Sequence, residues 1–296
     1  MAYKSGFVNI VGNPNVGKST LMNLFVGERI SIATFKSQTT RLRIMGILNE
    51  EDCQIVFSDT PGVLKPHYKL QESMRAFSDE ALSDVDVLVY VTDVIETQEK
   101  NLDFIEEVNK LTVPKLVLIN KIDLTNEKEL GKLVEEWHKL IPDAGIFPVS
   151  AKARFNVDTV LKTIKEMLPE NPAYFDKDQL TDKPVKFFVS EIIREKILLY
   201  YDKEIPYCVE VVVNSYKEEK KLVRIEATIF VEHESQKGIV IGHGGVALKK
   251  ISTEARKSIE KFLDKKVFLR ILVKVDKGWR NSDRELSSFG YKTDNN

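Results

Sequence analysis

One stretch limits what this chain can fold into more than any other: Gly12-Asn13-Pro14-Asn15-Val16-Gly17-Lys18-Ser19, which reads G-x-x-x-x-G-K-S. The apolar run Phe7–Val11 precedes it and the helix-like run Thr20–Val26 follows it. A strand, a tight glycine turn and a helix in succession gather several backbone N–H groups into one concavity, and the positive end of the helix faces it. Such a cradle holds a phosphate chain. Lys18 reaches the β- and γ-phosphates, and Ser19 offers a hydroxyl to Mg2+. A plain Gly/Asn-rich turn is the competing reading, and the strand–loop–helix context argues against it.

The first half of the chain continues this alternation. Strand-like runs at Ile44–Leu48, Gln54–Phe57, Val85–Val91, Lys115–Ile119 and Ile146–Val149 alternate with helical patterns at Tyr68–Leu82, Gln98–Leu111, Lys128–Leu140 and Asn156–Leu168. Asn49-Glu50-Glu51-Asp52 is a hairpin signal. The pattern predicts an α/β domain: a mainly parallel sheet, helices on both faces, and a site along the carboxyl edge of the strands. Ser58-Asp59-Thr60-Pro61-Gly62 ends one strand with a carboxylate placed for Mg2+, often through water, and a glycine whose N–H can meet a γ-phosphate. Asn120-Lys121-Ile122-Asp123 ends another. Its carboxylate can accept from guanine N1–H and the exocyclic amine, donors that adenine lacks in that arrangement. Lys121 can lie along the base, and Ser150-Ala151-Lys152 can buttress it through backbone N–H groups.

The second half differs in charge. Residues 1–181 carry a net −6 and residues 182–296 a net +5, with +8 concentrated in 237–280. A basic block in a chain of net charge −1 suits a polyanionic partner, although a solvated charged face has the same composition. Cys53 and Cys208 lie far apart in apolar runs, as expected of small core residues in a reducing cytosol, and the four histidines lack ligand spacing. The start of the chain has no signal-peptide pattern, and no apolar run approaches transmembrane length.

Glu170 to Pro184 is linker-like in composition. The pattern after it predicts a helix at Val185–Tyr201, strands at Tyr207–Val213 and Val223–Val231, two helical segments around Gly242-His243-Gly244-Gly245, and a strand at Val267–Val275. This resembles a KH domain of type II, with the extra helix and strand N-terminal, so the expected fold is a GTPase-like α/β domain followed by an α+β KH domain. A GxxG loop lets a single-stranded backbone lie close and points helix N–H groups at phosphates. The expected RNA contacts are Ile241, Gly242, His243, Gly244, Gly245, Lys249 and Lys250. Trp279 and Tyr291 either stack on bases or pin the tail to its own domain, and the second reading is favoured.

The ordered motifs resemble the translation-factor class of GTPases. Gly12–Ser19, Gln38-Thr39-Thr40-Arg41, Asp59-Thr60-Pro61-Gly62, Ser190–Lys196, Val273-Lys274-Val275-x-x-Gly278-Trp279 and Leu286-x-x-x-Gly290-Tyr291 are similar to the Era family over nearly the whole chain. The resemblance implies GTP hydrolysis by a domain at 1–172, a linker at 173–184 and an RNA-binding domain at 185–296. It implies that GTP and GDP contact Gly12 to Thr20, Asp59 to Gly62, Asn120, Lys121, Asp123 and Ser150 to Lys152. It implies mobile segments around Thr40 and after Gly62. Thr40, in preference to Thr39, would join Ser19 and Asp59 around Mg2+, and Lys18, Thr40 and Gly62 would act on the γ-phosphate. It further implies binding near the 3′ end of 16S rRNA, a role in 30S subunit biogenesis, and a cytoplasmic monomer with some peripheral association with the inner face of the cell membrane.

Three points set conditions on this reading. Val63 stands where Ras-like switches carry a water-orienting glutamine. Asn15 is either a K+ ligand, as in relatives with the same residue, or a shaper of the loop. The GxxG loop holds His243 and Gly244 where family members commonly carry a basic residue. Arg41 and Arg43 lie within chain reach of the site without a position dictated by pattern. The alternatives are an ATP-using enzyme, against which Asp123 argues, and a regulatory GTPase whose KH-like domain docks protein instead of RNA.

Overall fold

The computed structural model describes residues 2–96 and 102–291, which divide into two compact units, 2–67 with 71–96 and 102–182, and 68–70 with 183–291. The first unit runs β1 (Lys4–Val11), α1 (Lys18–Val26), β2 (Ile44–Asn49), β3 (Cys53–Asp59), α2 (Lys69–Ser83), β4 (Val87–Asp93), α3 (Leu102–Lys110), β5 (Lys115–Asn120), α4 (Glu127–Leu140), β6 (Ala144–Pro148) and α5 (Val157–Met167). The start of the predicted helix 98–111 lies outside the described residues. The sheet order is β2-β3-β1-β4-β5-β6. Only β2 is antiparallel to its neighbour, as the short hairpin after Asn49 requires.

Every residue of β3, β4 and β5 is buried, which is why these strands read as unbroken apolar runs rather than alternations. Residues of α2, α3 and α4 share one core cluster with Val11, Leu88, Tyr90, Val117 and Ile119. α1 packs on β1, β2 and β3 and against α5. The register pairs Ile10 with Asp59, Val11 with Tyr90 and Asp93 with Asn120. The polar strand ends therefore fall on one edge, beside the loop that follows β1.

The stretch read from composition as a linker is held to this unit as far as Asp182. Buried Gln54 binds it at both ends of its carboxamide: Nε2 donates to Phe175 O (2.8 Å), and Oε1 accepts from Tyr174 N (2.8 Å) and Phe175 N (3.0 Å). Farther on, Ile47 N donates to Leu180 O (2.9 Å), Thr181 Oγ1 to Met45 O (2.7 Å) and Met45 N to Asp182 Oδ1 (2.9 Å). The segment thus runs as a strap along β2, the edge strand, and satisfies backbone groups that an edge leaves open.

The second unit runs α6 (Val185–Tyr200), α7 (Ile205–Cys208), β7 (Glu210–Glu218), β8 (Leu222–Val231), α8 (Glu234–Ile241), α9 (Val246–Leu263), β9 (Lys266–Val275) and α10 (Asp283–Ser288). β8 lies centrally, antiparallel to β7 and parallel to β9. Val189, Ile193 and Ile197 on α6, and Ile251, Ala255 and Ile259 on α9, recur every four residues. They pack against Val223, Ile225, Ala227 and Ile229, which recur every two on β8. The expected strand Tyr207–Val213 is corrected: residues 205–208 form a helical turn and the strand begins at Glu210. Pro206 has no N–H for a ladder and suits the first turn of a helix, so strand pairing starts only after it. Trp279 is fully buried and donates to Cys208 O (3.3 Å), and buried Tyr291 donates to Glu210 Oε2 (2.7 Å). Both pin the tail to its own unit. Cys53 and Cys208 are buried free thiols.

Candidate functional site

A cavity of about 500 Å3 opens at the carboxyl edge of the first sheet. Its wall includes Pro14, Asn15, Gly17, Lys18, Ser19, Thr20, Thr40, Gly62, Asn120, Lys121, Asp123, Ala151 and Lys152. The loop after β1 is built by close approaches. Gly12 has φ +136°, and a Cβ there would lie 2.1 Å from Val91 O. A Cβ on Gly62 would lie 2.5 Å from Pro14 N, so the two phosphate-side loops touch backbone to backbone. Asn15 has a left-handed backbone (φ 67°), which asparagine tolerates, and its side chain is exposed at the cavity.

Lys18 is buried, and its Nζ donates to the loop carbonyls Gly12 O (3.0 Å) and Asn13 O (2.8 Å). Burial lowers its pKa from the usual 10.5 to about 8, against the opposing pull of Asp59 and Glu96. A cation held this way is poised to exchange carbonyls for phosphate oxygens.

Three oxygens converge below it. Ser19 Oγ donates to Asp59 Oδ2 (2.6 Å) and lies 2.9 Å from Thr40 Oγ1, which itself donates to Asp59 Oδ2 at 3.2 Å. Asp59 Oδ1 is buried without a hydrogen-bond partner, and burial raises this carboxyl's pKa, opposed by Ser19 and Lys18. Hard oxygen donors around an unsatisfied buried carboxylate fit a Mg2+ site. Thr39 is turned elsewhere: its hydroxyl donates to Lys36 O (2.6 Å) and meets Thr34 Oγ1 (2.7 Å).

Asn120 joins the two halves of the cavity. Its Nδ2 donates to Val16 O (2.8 Å), and its Oδ1 accepts from Ala151 N (3.0 Å). Ser150 Oγ donates to Asp123 Oδ1 (2.7 Å) and holds that carboxyl's pKa below the usual range. Lys121 donates to buried Asp93 Oδ2 (2.5 Å), while Asp93 Oδ1 accepts from Ile95 N and Glu96 N. Sequence reasoning missed Asp93. The signal that pointed to Asp59, an acid at the end of a buried strand, marks Asp93 equally. It also missed Ala33, Thr34, Phe35 and Leu124 in the cavity wall, which carry no motif, and gave no site role to Gln38, which opens the Gln38–Arg41 motif. Of these, Phe35 is 73% exposed.

Val63 is buried in the core cluster, and its N–H is bound to Gly12 O (3.1 Å). Arg41 and Arg43 do not line the cavity among the described residues. Arg43 Nε is spent on Ser58 Oγ (2.6 Å).

In the second unit the loop between α8 and α9 carries Gly242 (φ 72°), where a Cβ would lie 2.7 Å from the Cβ of Ala247. Gly244 (φ 58°) and Gly245 (φ 78°) face open space, and His243 is exposed. Gly245 begins α9 with no side-chain cap: the Gly245 and Val246 N–H groups turn back to Gly242 O and His243 O, and the N–H groups that follow in the first turn have no side chain over them and suit an anion. Ile241 is half-buried, Lys249 is exposed, and the Lys250 ammonium lies 4.5 Å from the centre of the Tyr200 ring.

Fold and site define a P-loop GTPase domain with a KH domain after it. The family model for a 50S ribosome-binding GTPase matches residues 7–121, and the KH domain model matches residues 204–280. GTPase Era of Ruminiclostridium cellulolyticum is 42% identical over 100% of both chains, and that of Clostridium acetobutylicum is 45% identical over 98% of each. Aquifex aeolicus Era, in a variant bound to GDP.AlF4−, superposes with a TM-score of 0.93 at 36% identity, covering 98% of this chain and 100% of that one. Era in complex with MgGDPNP and nucleotides 1506–1542 of 16S ribosomal RNA superposes with a TM-score of 0.94 at 36% identity and the same coverage. The chain belongs to the Era family of GTPases.

Proposed function

We propose that the chain is a GTP-hydrolysing switch that binds single-stranded 16S ribosomal RNA near its 3′ end and acts in 30S subunit biogenesis. The observation that carries this is its likeness, over 98% of its length, to Era solved with MgGDPNP and a 16S rRNA fragment. In this reading Asp123, oriented by Ser150, accepts from guanine N1–H and the 2-amino group. Asn120 positions the phosphate loop against the base loop rather than reading the base itself. Lys18 leaves the Gly12 and Asn13 carbonyls for the β- and γ-phosphates.

Mg2+, when bound, would be held by the Ser19 and Thr40 hydroxyls with Asp59, directly or through water, and supplies positive charge to the phosphate oxygens. The backbone of Gly62 passes directly against the phosphate loop at Pro14, which supports a role for its N–H at the γ-phosphate. With Val63 in the core, the attacking water must be oriented by backbone groups and another element, so intrinsic turnover is slow. Asn15, exposed at the cavity, is available to K+. The uncapped start of α9 and the open glycines before it take the RNA backbone, with Lys249 beside them. If GTP favours RNA binding, RNA must favour GTP to the same extent. A monomer, residence in the cytoplasm and a peripheral association with the inner membrane face belong to the same reading. Among the described residues no helix is long and apolar enough to cross a membrane.

The test is GTP affinity and turnover with and without RNA 1506–1542, in K+ and again in Na+. Reciprocal tightening of GTP and RNA is expected, with turnover faster in K+. Absence of RNA binding, or of a salt slope, refutes the RNA role. Equal turnover in the two salts removes K+ and leaves Asn15 as a loop former.

A further inference from the structure

The helices of the second unit cover one face of its sheet. The opposite face carries the outward residues of β8 and β9, which the parallel register places side by side: Arg224 beside Phe268, Glu226 beside Arg270, Thr228 beside Leu272 and Phe230 beside Lys274. The tail closes one end of this face, where Phe289 packs on Phe230 with ring centres 5.4 Å apart. The other end is bare. Phe268 is 50% exposed and Leu272 44% exposed, about 13 Å apart along the strand at the usual rise. The Arg224 guanidinium lies 5.6 Å from the centre of the Phe268 ring. Lys266, Arg270 and Lys274 are exposed on the same side of β9, and Glu226 is the only acid among the outward residues of these two strands.

We infer that this outer sheet face is a second single-stranded RNA contact, used by a strand that runs on beyond the GxxG loop. The inference rests on the RNA-binding reading above. An aromatic ring half in water with an arginine already over it offers a base a flat surface and a cation. Unpaired bases stack on such pairs, whereas a duplex hides its base faces. Arg224 is paired with Glu219 (2.9 Å) and Arg270 with Glu226 (3.5 Å), and Lys266 and Lys274 leave the face with an excess of positive charge that complements a phosphate backbone. A GxxG loop clamps only about four nucleotides, so a longer strand has bases to spare for a second platform.

The test compares an oligomer of about six nucleotides from the 16S 3′ end with the full 1506–1542 segment, on the full-length protein. Phe268→Ala and Arg270→Glu are both at exposed positions, and each serves as a folding check on the other. Each variant is expected to weaken the long segment about tenfold, as loss of one stacked base predicts, and to leave the short oligomer and basal GTP turnover unchanged. Arg270→Glu is also expected to lower the salt slope for the long segment by about 1. Gly244→Asp, which adds a carboxylate in open space at the GxxG loop, is expected to weaken both RNAs. Wild-type affinity of both variants for the long segment overturns the inference, and does so in favour of a membrane surface if they instead lose binding to phosphatidylserine vesicles. Failure of the wild-type protein to bind either RNA overturns the RNA-binding reading itself, and this inference with it.

Discussion

Replacing Asn120 with alanine tests how the nucleotide cavity is held together. The Asn120 carboxamide is buried and links Val16 O to Ala151 N. Its removal leaves one buried carbonyl and one buried N–H without partners, at about 1–3 kcal/mol each. Water from the adjoining cavity reaches both groups, which favours the lower half of the range, about 2–4 kcal/mol in total. Gly17 supplies the control. Its φ is +104°, and a Cβ there would lie 2.2 Å from Asn120 Nδ2, with no atom outside Asn120 within 4 Å among the described residues. Gly17→Ala alone therefore costs about 1–2 kcal/mol of backbone strain and also displaces the Asn120 amide. In the Asn120→Ala background the methyl has room, and only the strain remains. The double variant should be less impaired than the sum of the singles by about 2–4 kcal/mol. The assays are GDP affinity by a fluorescent analogue and urea unfolding of the first unit followed by Trp137, which is buried there. Additive costs within about 0.5 kcal/mol, or wild-type GDP affinity in Asn120→Ala, would refute the clasp.

Three further outcomes follow from the same geometry. Because burial lowers the Lys18 pKa to about 8, the nucleotide-free folded state sheds this proton before the unfolded chain does. Between about 8 and the unfolded value the unfolded chain binds more protons, so stability rises with pH across that window, by about 3 kcal/mol in all. GDP affinity, which uses the charged amine, falls as pH rises through about 8, and a Lys18→Ala protein with the same pH slope would show that another group titrates. Gln54→Ala should free the strap at Tyr174 and Phe175, at about 0.5–1.5 kcal/mol for each of the three hydrogen bonds lost to it. Hydrogen exchange at those two amides should quicken at least tenfold, and unchanged protection would mean that the strap is held elsewhere. Asp123→Asn should lose GTP by about a hundredfold while gaining xanthosine triphosphate. Retained preference for GTP would sink the assignment of the base contact.

The sequence by itself determined the elements and the chemistry that lives inside one element or one turn. Gly12 to Ser19, Asp59 to Gly62 and Asn120 to Asp123 are each contiguous, so the strand, the turn and the reacting groups come from neighbouring residues. Buried strands announced themselves as apolar runs. The glycines of the second unit likewise marked the loop between α8 and α9.

Tertiary structure decided what depends on strand order. Asn120 faces Val16 only because β5 is joined to β1 through β4, which brings together residues 104 apart in the chain. The same packing turned Thr40, and not Thr39, toward Asp59, gave Lys121 its partner Asp93, and sank Val63 into the core. Composition marked Glu170 to Pro184 as a linker because prolines and acids avoid packed cores. It carried no trace of Gln54, whose buried carboxamide makes the segment a strap. Local pattern records a residue's preference for water and for a backbone shape. The partner of a hydrogen-bonding group a hundred residues away is set only when the sheet assembles and every buried donor must find an acceptor.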